Sequence, residues 1–210
     1  MKVIYLFIFL LAITACHNTS TNNKQQSQKK TEQKNLSDSQ KEHLIIKGSA
    51  ISKQVAVTLQ KNLKHAISTH GIEGAIEFCH GKAMHLTDSV AQANNVTIRR
   101  AAKKYRNPFN QTSQFESDLY KQYILEWLSN KPLKPKIIQN KKGEPVYYST
   151  IMLNKKVCLQ CHGTPGKDMP VEREAKIKEY YPNDLATNFR FGEPRGMWVI
   201  TFVNNNATTN

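Results

Sequence analysis

Five consecutive residues carry the most specific chemistry in the chain: Cys158-Leu159-Gln160-Cys161-His162. Two cysteines separated by two residues and followed at once by histidine match the attachment pattern for c-type haem. The thiols add across the two vinyl groups as thioethers, and His162 serves as the proximal iron ligand. Two other chemistries use the same cysteine spacing, a thioredoxin-like redox pair and half of a zinc site. The redox pair has no use for the trailing histidine. The zinc site wants a second Cys or His pair, which the chain does not supply at the usual spacing.

The N-terminus sets the compartment in which this chemistry would run. Lys2, an apolar run from Val3 to Leu11 and then Ile13-Thr14-Ala15-Cys16 read as an export signal over residues 1–16. Its ending resembles a lipobox, in which Cys16 is acylated and becomes the first residue of the mature protein. The apolar run is too short to span a bilayer core of ~30 Å at 1.5 Å per residue. Export agrees with covalent haem, which bacteria attach outside the cytoplasm. The expectation is a lipoprotein anchored through Cys16 and facing the periplasm, with His17 rather than aspartate after the lipid site favouring the outer membrane.

Of the four cysteines, Cys16 is assigned to lipid and Cys158 and Cys161 to the porphyrin, which leaves Cys79. An idle thiol is a liability in an oxidising compartment, so Cys79 is a buried inert residue, an intermolecular bridge or a ligand. Residues 17–40 are almost all polar and read as a flexible tether, residues 41–203 suit one domain, and residues 204–210 form a polar tail. The formal charge of +14 comes with no nucleic-acid recognition motif. It fits anionic lipid headgroups near the anchor, an acidic redox or signalling partner, or simply a solvated basic face.

The elements that must position these residues follow from periodicity. Apolar residues recur at three and four from Leu44 to His70, which predicts a long helix ended by Gly71. A second helix is predicted from Ile72 to Ala93, with Cys79 on its apolar stripe. His80 lies about 100° and His85 about 240° around the axis, towards water or the rim. A basic stretch with Arg99, Arg100 and Arg106 closes in a turn at Asn107-Pro108. Ser113 and Glu116 form a capping box for a third helix with Phe115, Leu119, Tyr123, Trp127 and Leu128 inward. Strands are predicted at Lys136 to Gln139, Val146 to Leu153 and Met197 to Val203, with a loop-rich segment around the haem motif. Helices first and an antiparallel sheet later make an α+β domain, with a haem lying between the sheet and the helix bearing Cys79.

Several motifs together carry a resemblance. Gly74-Ala75-Ile76 with Cys79 and Ala83, Arg99-Arg100, Arg106-Asn107-Pro108 with Asn110 and Glu116, the haem motif through Gly163, Tyr181-Pro182 with Asp184 and Ala186, and Gly192 with Arg195-Gly196 occur in order. The chain resembles a domain-of-unknown-function family of single-haem c-type proteins with a PAS-like fold, and the likeness covers nearly everything after the tether. It implies a PAS-like antiparallel sheet with N-terminal helices, one covalently bound haem c, and iron held by His162 and Cys79. Ala101 and Ala102 stand where several relatives have serine or threonine.

Arg99, Arg100 and Arg106 are the candidates to pair with haem propionates, the alternative being a solvated cationic turn. Met84, Met152, Met169 and Met197 compete with Cys79 as ligand, Met197 most plainly, though a strand methionine more often fills a core gap. Tyr147, Tyr148 and Trp198 read as core or pocket wall, and Asp184 as a loop-orienting residue. A thiolate neutralises the ferric porphyrin, so reduction leaves unbalanced charge in a low-dielectric pocket. A penalty of several kcal/mol lowers the potential by roughly 100 to 200 mV. The expected function is a redox or diatomic-gas sensor module, in which Cys79 leaves on reduction or NO binding and signals through a separate partner. The alternative is a low-potential electron carrier. A haem enzyme is the third reading, disfavoured because a six-coordinate iron lacks the open position that catalysis needs.

Overall fold

The computed structural model describes residues 35–203. The export signal, the lipid site Cys16 and the tail from 204 lie outside the described residues. In the described residues, α1 (Asp38–Gly81) and α2 (Ala83–Ala93) precede β1 (Val96–Ala101) and α3 (Gln114–Leu128). They are followed by β2 (Lys136–Gln139), β3 (Pro145–Met152), α4 (Lys156–His162), α5 (Val171–Tyr180) and β4 (Pro194–Phe202). The strands form one antiparallel sheet in the order β1-β4-β3-β2. The first and last strands are therefore neighbours although nearly a hundred residues separate them. This is the α+β arrangement that the order of elements predicts, with the N-terminal helices and antiparallel sheet that the family resemblance implies. No helix among the described residues is long and apolar enough to cross a membrane.

Helix α1 starts within the stretch expected to be tether, because Ser37 and Gln40 close a capping box there: Ser37 Oγ accepts from the Gln40 amide at 3.2 Å and Gln40 Oε1 from the Ser37 amide at 2.9 Å. Gly71 sits at φ 69°, ψ −172°, a conformation that L side chains resist, and it divides α1 into two helical pieces, ending the first where the sequence predicts. The helix predicted to continue unbroken to Ala93 is interrupted at Lys82. Residues 72–81, with Cys79 among them, are thus a short helical piece between two breaks.

Side chains alternate across the sheet, and each face packs on different helices. On one face Val96, Ile98, Tyr147, Trp198, Ile200 and Phe202 bury against Ile51 and Val55 of α1 and Val90 of α2. On the other, Ala101, Val146, Tyr148, Met197 and Val199 bury against Leu119, Tyr120 and Tyr123 of α3. The three aromatic residues Tyr147, Tyr148 and Trp198 are all core. The α3 capping box forms at Ser113 and Glu116 as expected, but the buried stripe is Glu116, Leu119, Tyr120 and Tyr123, whereas Phe115 and Leu128 are exposed. The inward face is rotated by a fraction of a turn from the predicted one. Strand β1 occupies much of the basic stretch. The segment expected to be loop-rich holds α4 and α5.

Candidate haem site

The haem motif forms the short helix α4, so Cys158 and Cys161 fall almost one turn apart and project to the same side. Cys161 packs on Ile76, Met169, Ile177 and Tyr181, and Cys158 on Leu153, Ala186 and Phe189. The motif helix is thus wedged between two small apolar clusters. A cavity of about 280 Å³ opens beside it, enclosed by α1, the end of the sheet and α4. Its walls are mostly apolar, with Leu63, Ile67, Ile72 and Ile76 from the two sides of the α1 kink and Ile151 from β3. Cys79, Cys158, Cys161 and His162 all line it. The cavity therefore lies between the sheet and the Cys79 helix, where the sequence places the haem.

The loop before β4 fixes His162. Its Nδ1–H donates to the Ala186 carbonyl at 2.8 Å, since a carbonyl can only accept. The Phe189 amide donates to the His162 carbonyl at 2.9 Å, and the Asn188 amide to that of Gly163 at 3.0 Å. Burial, with Arg106 and Arg195 nearby, pushes the imidazole pKa well below its ordinary value. The ring is neutral, with its tautomer set and the Nε2 lone pair left for a metal, which is the arrangement typical of ligating histidines.

Arg106 locks that loop to the motif helix. Its guanidinium pairs with the fully buried Asp184 at 3.0 Å and donates to the carbonyls of Cys161 at 2.6 Å and Ala186 at 3.3 Å. Asp184 Oδ1 in turn accepts from the Ala186 amide at 2.8 Å. The loop-orienting role expected of Asp184 thus has a concrete form. Arg106 lines the cavity, yet most of its donors are spent on this clamp.

The three arginines expected to be propionate partners separate. Arg100 lines the cavity. Arg99, its neighbour on β1, is absent from the cavity lining and pairs with Glu116 of α3. The correction follows from strand alternation, which sends adjacent side chains to opposite faces. The residue that sequence reasoning misses is Arg195. Ile151 pairs with Gly196 and Met152 with Pro194, so Arg195 is the extra residue of a β-bulge, and bulges re-aim side chains. It lines the cavity. Gly196 beside it lets the strands close, because a Cβ there would meet the Ala101 carbonyl oxygen at 2.6 Å. Arg195 and Gly196 belong to the motif set above, but a bulge leaves no compositional trace.

Cys79 is half-buried, and burial with Cys161 nearby raises its thiol pKa, against the pull of Arg100 and Arg106. Met197 is fully buried in the α3-side core and does not line the cavity. Met169 packs under Cys161, while Met84 and Met152 reach the cavity walls. His80 and His85 are exposed, His80 against the rings of Tyr180 and Tyr181 at 5.2 Å. No group of three or more His, Cys, Asp or Glu side chains among the described residues is placed to hold a bare metal ion. The donors present suit a metal that brings its own equatorial ligands: a neutral imidazole, a thiol on the same cavity, two cysteines on one helical turn, and arginines for acidic substituents.

An antiparallel PAS-like sheet whose long kinked helix and Cys-x-x-Cys-His helix share one cavity defines a class of small α+β domain with a cofactor-type pocket. Residues 33–202 match the Tll0287-like family, and the chain belongs to it. Among solved structures it is similar to one described as the crystal structure of the cyanobacterial heme-protein Tll0287. The match has a TM-score of 0.56 and 24% identity, and covers 76% of this chain and 94% of that one. At that identity the likeness is one of fold. No curated protein matches the sequence.

Proposed function

We propose that the chain is a single-haem c-type domain, attached through Cys158 and Cys161 and ligated by His162 and Cys79, that works as a low-potential redox or diatomic-gas sensor. The observation that carries the proposal is that neutral His162, with Nε2 free, shares one cavity with Cys79 and both attachment cysteines. The description of the structural relative as a heme-protein supports it. A haem bound there would supply one-electron chemistry and a position for a diatomic gas. The chain supplies the rest. The Arg106–Asp184 clamp holds the His162 side fixed, whereas Cys79 rides on residues 72–81 between the breaks at Gly71 and Lys82. One ligand is thus anchored and the other sits on the element best able to shift. A partner protein would read that shift, and acylated Cys16 would hold the module at a membrane on the periplasmic side. The domain binds and signals without catalytic turnover.

A low-potential electron carrier is the second reading. One observation favours it: Val157, next to Cys158 on α4, is exposed and lines the cavity, so an edge of a cofactor attached there would stand near solvent.

Intact-mass measurement of chain matured with the haem-attachment machinery, then CO and NO addition to the reduced protein, separates these outcomes. The sensor reading expects one covalent haem and gas binding. Covalent haem with no gas binding and fast electron exchange selects the carrier. A chain that acquires no haem overturns both.

A further inference from the structure

The side-chain atoms buried without a hydrogen-bond partner among the described residues are the Nε atoms of Arg173 and Arg195. Arg173 Nε lies 3.7 Å from Glu73, and its Nη1 donates to Gln160 at 2.6 Å, so it ties α5 to α4 and α1. Arg195 differs because it faces the cavity. Its Nη1 donates to the Lys104 carbonyl at 2.9 Å, and its guanidinium lies 5.2 Å from the Phe189 ring centroid. These contacts hold the fork in place and leave its Nε side without an acceptor. That side is the edge with which arginine grips a carboxylate through two parallel hydrogen bonds.

Local charge balance points the same way. Arg100, Arg106 and Arg195 all line the cavity. Asp184 is committed to Arg106. Glu193 is engaged by Arg190 and its amide. Lys104 adds a further cation over Phe189, donating to the Thr187 carbonyl. Burial, with Arg106 and Arg100 adding repulsion, pulls the Arg195 pKa down to about 9. A guanidinium nonetheless keeps its proton in proteins, so the cavity is short of negative charge.

We infer that Arg195, aimed inward by the β4 bulge and aided by Arg100, is an anion-binding residue that takes a carboxylate inside the cavity. The inference rests on the proposed haem reading in one respect: the carboxylate at hand there is a substituent of the cofactor. A free small carboxylate entering the cavity has the same chemistry.

The test compares the matured full chain with its Arg195→Met and Arg195→Lys variants, reading midpoint potential against pH. With Arg195 present the carboxylate stays ionised in both redox states, and the potential is flat between about pH 5 and 8. In Arg195→Met the unpaired carboxyl titrates in that window and takes up a proton on reduction, so the potential rises as pH falls. Arg195→Lys restores most of the flat profile. A merely structural arginine would change the melting temperature but not this slope. Sodium acetate added to wild-type protein distinguishes the sources. No effect on the potential marks the cofactor's own carboxylate, and a saturable shift that Arg195→Met abolishes marks a free anion. Identical flat profiles in wild type and Arg195→Met, with no acetate effect, overturn the inference. If the wild-type chain carries no haem, the haem reading fails by itself. The anion site is then read on the haem-free chain as an acetate-dependent rise in melting temperature, which Arg195→Met must lose.

Discussion

Arg99 and Arg100 are neighbours on one strand and meet opposite fates. Arg99 turns to the α3 side, where it pairs with Glu116, a residue that also caps α3. Two of the buried tyrosines of that face have partners too: Tyr120 Oη donates to the Pro194 carbonyl at 2.6 Å, and Tyr123 Oη lies within reach of the carbonyls of Lys134 at 3.1 Å and Tyr148 at 3.2 Å. Burial pushes the Tyr120 and Tyr148 hydroxyls up to about 12, and Tyr123 upward as well. Arg100 turns to the other side, into a cavity whose cations outnumber its acids. One face of the sheet is complete without a ligand and the other is not. The cavity that collects these cations is the one that the cysteine motif lines.

The largest effect should come from removing the proposed ligand His162 or the proposed attachment thiols. His162→Ala, or Cys158→Ser with Cys161→Ser, should abolish covalent haem by intact mass, while Arg99→Ala on the complete face should leave loading unchanged. Loss of haem in Arg99→Ala would break the division between faces.

Next comes the clamp. Arg106→Ala leaves Asp184, whose side chain is fully buried, without its ion-pair partner. Loss of a buried partner should cost about 3 kcal/mol in urea unfolding and disturb the haem spectrum together with the stability. A cost below ~1 kcal/mol, the range of exposed pairs, would show that the clamp does not hold the loop.

On the complete face, Met197→Leu nearly conserves volume and should cost less than ~1.5 kcal/mol. Its visible spectrum should match wild type, and a spectral change would return Met197 to contention as a ligand. The smallest effect is on pH. The Cys79 thiol is raised by burial, so in haem-free protein the folded state favours its protonated form. That contribution is complete below the ordinary thiol pKa and declines as pH rises through the shifted one. Cys79→Ala should flatten this alkaline loss of stability.

Much of this arrangement is legible in the sequence. The spacing Cys158-x-x-Cys161-His162 marks residues that do line the cavity, the leftover Cys79 lies on an apolar stripe and lines it too, and the Ser113 and Glu116 box marks the true start of α3. What escapes is whatever depends on pairing. Strand β1 hides because Arg99 and Arg100 interrupt a hydrophobic alternation that only its partner β4 completes. Arg99 and Arg100 look alike in sequence until the pleat separates them. Arg195 is invisible because a bulge is a mismatch between two strands, not a property of either. Helix α5 escapes because its one fully buried apolar side chain, Ile177, leaves no helical stripe to read.

The central claim is that Cys79 completes the iron coordination begun by His162. Electron paramagnetic resonance of the ferric matured protein, recorded beside Cys79→Ala, tests it most directly. The account predicts a six-coordinate low-spin signal of thiolate type in wild type that Cys79→Ala loses. A high-spin wild-type signal, or spectra identical in the two proteins, would contradict it.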